Sequence, residues 1–246
     1  ETITNLYPLK GQRVIVTAVD LEQEEHRGIA VYSKNLLRSL KSLGAEVWLL
    51  TAHTSDIKFR GKYFEERKKM EISRILSKFA DPNFRIKSNI DFLFKRSIDK
   101  RPSKLQIIIT LIKSIPIIKF IPITFFYFIS GFVNYKYKYY ERKYFEDNPL
   151  LNTARLDYFK DVDGLVSAEH IFQKAVVSGM LNMSPIKLRL KKFDVFITTC
   201  PLRIKAGEAI KTIQTIHDII PLTFPHDDDV MHFHKRCVEA LNTSRR

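Results

Sequence analysis

The chain has 246 residues, 45% of them hydrophobic and 28% charged, and 41 Lys+Arg against 27 Asp+Glu give a formal net charge of +14. This composition excludes a disordered or low-complexity chain and suits one large domain or two small ones with a sizeable core. Two cysteines, Cys200 and Cys237, are too few for a disulfide framework and read as free thiols of a reducing cytoplasm; the polar lead-in from Glu1 to Arg13 lacks the apolar core of a secretory signal.

Arg13 to Val19 is a short β-branched run bounded by Gly11 and Asp20, the pattern of a buried parallel strand. After a polar loop, Ile29, Tyr32, Leu36, Leu40 and Leu43 recur at spacings of three and four, which predicts one apolar helix face and a stop at Gly44. Glu46 to Thr51 is a second strand and completes a right-handed βαβ unit, a Rossmann-like opening. The turn before such a helix is where anions are held, because free backbone N–H groups and the helix dipole point into it. Only Gly28 is available there and no GxGxxG can be written, so a dinucleotide site is not expected. Gly28 reads either as a turn near a phosphate or sugar, or as a residue that lets the turn close.

The basicity is local. Residues 57–160 hold 23 Lys+Arg against 10 Asp+Glu, a net of +13, whereas the rest of the chain holds 18 against 17. Residues 57–104 are helix-compatible, and Leu105 to Val133 is the most apolar part of the protein. It is long enough to cross a bilayer, at about 20 residues of helix. Lys113, Lys119, Pro116 and Pro122 oppose a span, and the tyrosines and lysines of 135–144 resemble an interfacial belt. Three readings of this large helical insertion stand open: a subdomain that dips into one leaflet, a buried helical hairpin with a basic exterior, and a transmembrane span. A nucleic-acid site would use the basic residues but gives the aliphatic block no role.

An α/β rhythm then returns. Asp161 to Ser167, Phe193 to Thr199 and Ile210 to Ile216 read as strands, and Glu169 to Leu181 and His232 to Leu241 as helices. The third of these strands ends in His217-Asp218 and a proline loop. A ligand in an open α/β sheet lies beyond the carboxyl ends of the strands, so His217 is placed to donate a hydrogen bond to a sugar or phosphate oxygen, or to titrate near neutral pH. The alternative is a capping pair that only shapes the loop. His226, Asp227, Asp228, Asp229, His232 and His234 lack tight ligand spacing, so no metal is expected. GxSxG, HExxH, Walker A and CxxC motifs are all missing, which removes the reactions they serve.

Two stretches together resemble the amino-terminal, acceptor-side domain of GT-B glycosyltransferases of family 4. Residues 27–51 look like that family's glycine turn, first helix and second strand; residues 193–204 and 210–225 look like its sequence of strand, proline loop, strand, His-Asp and proline. Ala30 and Val31 stand where many relatives carry glycine and arginine. The resemblance implies an α/β fold, a Rossmann-like parallel sheet with flanking helices forming one half of a GT-B fold, here as a single domain over 1–246 with an insertion at about 57–160. It implies retaining transfer of a sugar from a nucleotide-diphospho-sugar, without metal or other cofactor. His217 falls on the histidine that contacts the transferred sugar, Gly28 on the glycine turn, and Arg27, Tyr32 and Asp218 are neighbouring substrate-binding candidates. The family's carboxyl-terminal, donor-binding domain has no counterpart in the sequence, so the expectation is a fragment inactive by itself. The basic, apolar insertion adds a lipid-linked or polysaccharide acceptor at an anionic membrane surface, on its cytoplasmic side. The rival from another class is a non-catalytic membrane-surface or scaffold module with a Rossmann-like core.

Overall fold

The computed structural model describes residues 7–24, 26, 28–55, 64–81, 135–180, 184–207, 210–217 and 237–238. All of them belong to one compact unit. The apolar run 105–133 and nearly all of the helix expected over 232–241 lie outside the described residues.

The unit is an α/β layer structure. Strands β1 (Arg13–Thr17), β2 (Glu46–Thr51), β3 (Lys138–Glu141), β4 (Gly164–Ser167), β6 (Val195–Thr198) and β8 (Lys211–Gln214) form a six-stranded sheet in the order β3-β4-β2-β1-β6-β8. β5 (Ile186–Lys187) and β7 (Ile204–Lys205) make a separate parallel pair. Within the large sheet, neighbours from β4 to β8 are parallel, with Val14 opposite Val47 on one side and Val195 on the other. The expected all-parallel sheet is corrected at one edge: β3 runs antiparallel to β4, pairing Tyr140 with Leu165. An antiparallel edge needs no crossover helix, and such strands commonly finish an otherwise parallel sheet.

Helix α1 (Gly28–Ser42) stops where the sequence predicts. Gly44 has φ +88°, its N–H bonds Lys41 O at 3.0 Å, and Ala45 N–H bonds Leu40 O at 3.1 Å, a Schellman ending that needs the left-handed conformation glycine tolerates. The predicted face is rotated by about one position. Ala30, Ser33, Leu37 and Leu40 are buried, whereas Ile29, Tyr32 and Leu43 are exposed. Small residues at 30 and 33 let the helix sit close to the sheet, and a periodicity count that weighs only large apolar residues overlooks them.

The segment read as an insertion over 57–160 contributes to the main core at both of its ends. In α2 (Phe64–Ala80), Ile72, Ile75, Leu76 and Phe79 are buried beneath a basic outer face. After β3, the 3₁₀ turns at Pro149–Asn152 and Ala154–Asp161 bring Leu156, Tyr158 and Phe159 into the same cluster. Phe159 meets Phe79 and Phe145 edge-on, with ring centroids 5.4 and 6.1 Å apart. Charge density had grouped these residues with 82–134, although their apolar stripe belongs to the sheet.

Candidate functional site at the sheet crossover

β1 lies between β2 and β6, so the chain turns to one side of β1 in its first half and to the other in its second. Such a reversal opens a crevice beyond the carboxyl ends of the two central strands, where the loops diverge. Four polar residues meet there. Thr17 ends β1, Asp20 follows it, Thr199 follows β6, and His217 lies beyond β8.

Their contacts form one chain. Thr199 N–H donates to Thr17 Oγ1 at 3.1 Å, and the two threonine hydroxyls are 3.2 Å apart. Thr199 Oγ1 donates in turn to Asp20 Oδ2, which also lies 3.5 Å from the Ser33 hydroxyl of α1. His217 Nε2 lies 2.7 Å from the Thr199 carbonyl oxygen. A carbonyl only accepts, so Nε2 carries the proton and Nδ1 of the neutral ring keeps the lone pair. Tyr32 sets its ring edge-on to His217 at 4.7 Å, and its hydroxyl is 3.4 Å from Thr215 Oγ1.

Asp20 is 5% exposed. Burial raises its pKa, and the Thr199 hydrogen bond, the charge of His217 and the Ser33 hydroxyl offset only part of that rise. The Asp20 carboxyl thus stays shielded from water behind its hydroxyl donors. The exposed imidazole and the buried carboxylate make a polarised pair around the Thr199 backbone. With Nε2 donating to the Thr199 carbonyl, Nδ1 of the neutral ring can accept a hydrogen bond from a hydroxyl and orient it.

Of the residues singled out from sequence, His217 and Tyr32 are brought together. Gly28 opens α1 one helical turn before Tyr32; its φ is not in the left-handed region, and among the described residues nothing lies within 4 Å of where a Cβ would stand. No left-handed backbone at position 28 itself calls for glycine there. Arg27 and Asp218 lie outside the described residues. Among the described residues, no group of three His, Cys, Asp or Glu side chains could hold a metal ion, and no helix is long and apolar enough to cross a membrane.

Asp20, Thr17 and Thr199 had no place among the sequence candidates. Asp20 marked only a strand boundary, and the threonines read as β-branched strand formers. The one available signal was that a carboxylate directly follows the carboxyl end of a buried strand.

The loop carrying Asp20 is anchored on its other side. Glu22 Oε1 accepts from the Thr51 hydroxyl at 2.6 Å and from Ala52 N–H at 2.8 Å, fastening the loop to the end of β2. Arg155 donates to the carbonyls of Phe79 at 2.7 Å, of Glu24 at 2.9 Å, and of Gln23. Burial pushes the Glu22 carboxyl up to about 8 against the pull of its hydrogen bonds. A folded pKa above the unfolded value means that Glu22 supports folding fully below about 4.5 and loses that support as pH rises toward about 8. Glu22→Gln keeps an acceptor without the titration. Its stability relative to the native chain is expected to grow between pH 5.5 and 8.5 in urea melts; a difference that does not change with pH refutes the assignment.

Compared with known proteins, the chain matches no family model, no curated protein and no solved structure.

Proposed function

We propose that the chain is the acceptor-side half of a sugar-transfer cleft, one Rossmann-like half of a GT-B glycosyltransferase that takes its donor from a nucleotide-diphospho-sugar. The observation that carries this reading is the Asp20–Thr199–His217 cluster at the sheet crossover. The second support is the resemblance of residues 27–51 and 193–225 to glycosyltransferase family 4.

In this reading His217 Nδ1 takes a hydrogen bond from a hydroxyl of the transferred sugar and holds that sugar at the reacting centre. Tyr32 limits the rotation of the imidazole from the side. Asp20 acts through Thr199 and by its charge, so it is a positioning residue. Gly28 adds no side chain to the first turn of α1, which suits the approach of a phosphate or a sugar to backbone N–H groups. The opposite wall of the cleft, with groups for the nucleotide, comes from a second Rossmann-like domain. A lipid-linked or polysaccharide acceptor at the cytoplasmic face of a membrane is supported by the basic, apolar sequence of 57–160.

The test is transfer from nucleotide-sugars to lipid-linked acceptors in vesicles, with the 246-residue chain by itself and with the product of its reading frame continued past Arg246. No turnover is expected from the first. Turnover is expected from the second if the continuation encodes a Rossmann-like domain with a Glu-x7-Glu pattern. His217→Ala should lower kcat about a hundredfold or more, the scale of a lost acid–base or orienting group. Deleting 105–133, which spares β3, should cost activity on the vesicle acceptor more than on a soluble one. Unchanged turnover in His217→Ala, or a continuation without such a domain, sinks the transferase reading in favour of a scaffold module.

A further inference from the structure

The two-stranded ladder of β5 and β7 has one buried face and one open one. Ile186, Leu188 and Leu190 are buried and alternate with the exposed Lys187 and Arg189; across the ladder, buried Ile204 and Ala206 flank a half-buried Lys205. Strand alternation therefore turns the apolar side chains inward and the cations outward. The register sets Lys187 directly opposite Lys205. Like charges facing each other across a ladder oppose folding, and no carboxylate nearby in sequence offsets them. Residues 184–193 hold four cations and residues 200–207 two, with no Asp or Glu in either stretch. Among the described residues, the side chains of Lys187, Arg189, Lys191 and Lys205 have no hydrogen-bond or ion-pair partner.

Tyrosines border this array. Tyr137 donates its hydroxyl to the Arg189 carbonyl, which also accepts Lys191 N–H at 3.0 Å, and Lys192 Nζ lies 5.1 Å from the centre of the Tyr139 ring. Both tyrosines are partly exposed, and in sequence they follow the apolar run 105–133 within a few residues. A flat, open set of cations encloses no small ligand. It suits an extended anionic plane, on which each charge acts by itself, and tyrosines beside lysines are the composition of a lipid headgroup boundary. Single-stranded nucleic acid asks instead for aromatic faces on which bases stack. The Tyr139 ring is already surrounded: besides Lys192, Tyr137 and Trp48 meet it edge-on at 5.2 and 6.0 Å, and Phe193 lies tilted at 6.1 Å.

We propose that the outer face of the β5–β7 ladder, bordered by Tyr137, is the face with which the chain lies on an anionic lipid surface. It gives the membrane contact of the proposed function a footing on the described unit, apart from 105–133, and it does not depend on sugar transfer.

The whole chain is floated, with no sugar donor present, on phosphatidylcholine vesicles that contain phosphatidylglycerol and on phosphatidylcholine alone. Only the anionic vesicles should carry it, and less so as salt rises. Lys187→Gln, Arg189→Gln and Lys205→Gln together should weaken binding about a hundredfold, from about fivefold for each charge near such a surface. Lys10→Gln, Arg38→Gln and Lys160→Gln, which remove three exposed charges elsewhere, should together change it less than about threefold. Lys205→Glu should lower binding while leaving Tm unchanged or raised, because it turns the like-charge pair with Lys187 into an attractive one; damage to the fold would lower both. Equal losses in the two triple variants overturn the assignment, as does tighter binding of a dT oligonucleotide or of polyglutamate with the same variant pattern. Vesicle binding that the first triple variant keeps in full also overturns it, and leaves the membrane contact to 105–133. No binding by the native chain overturns both this face and the membrane part of the proposed function, while sugar transfer keeps its own turnover test.

Discussion

Gly164→Ala is expected to destabilise the domain by about 3 kcal/mol, at the upper end of what overpacking costs, and Gly164→Val by more. The reason is a single ring. Gly164 is paired in register with Trp48 across β4 and β2, and a Cβ at 164 would stand 2.5 Å from Trp48 Cε3 and Cζ3. No side chain tolerates that approach, and the indole has little freedom to yield. Its Nε1–H donates to Glu46 Oε1 at 2.9 Å, and Phe193 and Tyr139 meet it edge-on at 5.6 and 6.0 Å. For a domain of this size about 3 kcal/mol corresponds to roughly 6 to 12 °C in Tm. Shrinking the ring in the same chain, Trp48→Leu with Gly164→Ala, should restore part of the loss relative to the sum of the single changes. A Tm within 2 °C of the native chain for Gly164→Ala would show that the ring moves freely.

Glu71→Ala should cost about 3 kcal/mol, because a buried carboxylate there serves three donors. Its side chain is 3% exposed and accepts from the Tyr140 hydroxyl at 2.7 Å, Lys138 Nζ at 3.0 Å and Arg67 Nε at 3.0 Å. The two cations can return to water, since their side chains are 54% and 41% exposed. Tyr140 cannot: it is 1% exposed, and its hydroxyl would lose its acceptor. Tyr140→Phe should therefore be much less costly in the Glu71→Ala background than in the native chain, a double-mutant cycle read by urea melts.

The pH dependence of the same residue follows from its surroundings. Burial pushes the Glu71 carboxyl up, but the hydrogen bonds from Tyr140, Lys138 and Arg67 and the charge of Lys138 together hold it below the ordinary glutamate value. A lowered folded pKa gives stability that is present above the unfolded value near 4.5 and is lost as pH falls through the folded one. The advantage of the native chain over Glu71→Gln should thus be full at pH 7 and shrink in acid. Glu22 has the opposite sign, so the two carboxylates press on the pH–stability curve from its two ends. Glu71 also ties α2 to β3, two elements more than fifty residues apart in sequence.

The candidate site was half legible. His217 stood out because it ends a β-branched run beside Asp218, at the edge where ligands of an open α/β sheet lie, and Tyr32 was named only through the family resemblance. Asp20 and Thr199 were not legible, since they are 179 residues apart in sequence and acquire meaning only when β1 and β6 become neighbours.

By itself the sequence determined the local elements: the buried strands at 13–17 and 46–51, the helix that ends at Gly44, and the strands around 164–167, 195–198 and 211–214. These depend on short-range physics, namely β-branching, apolar runs and a glycine free to adopt positive φ. Tertiary structure alone decided the sheet order, the antiparallel edge, the face that α1 buries and the inclusion of 64–80 and 135–161 in the main core. Each of those depends on which surfaces meet, and charge or periodicity within one segment carries no information about its partner. The crossover at β1 and β6 has the same origin, and it is what turns an isolated His217 into a site with a buried carboxylate behind it.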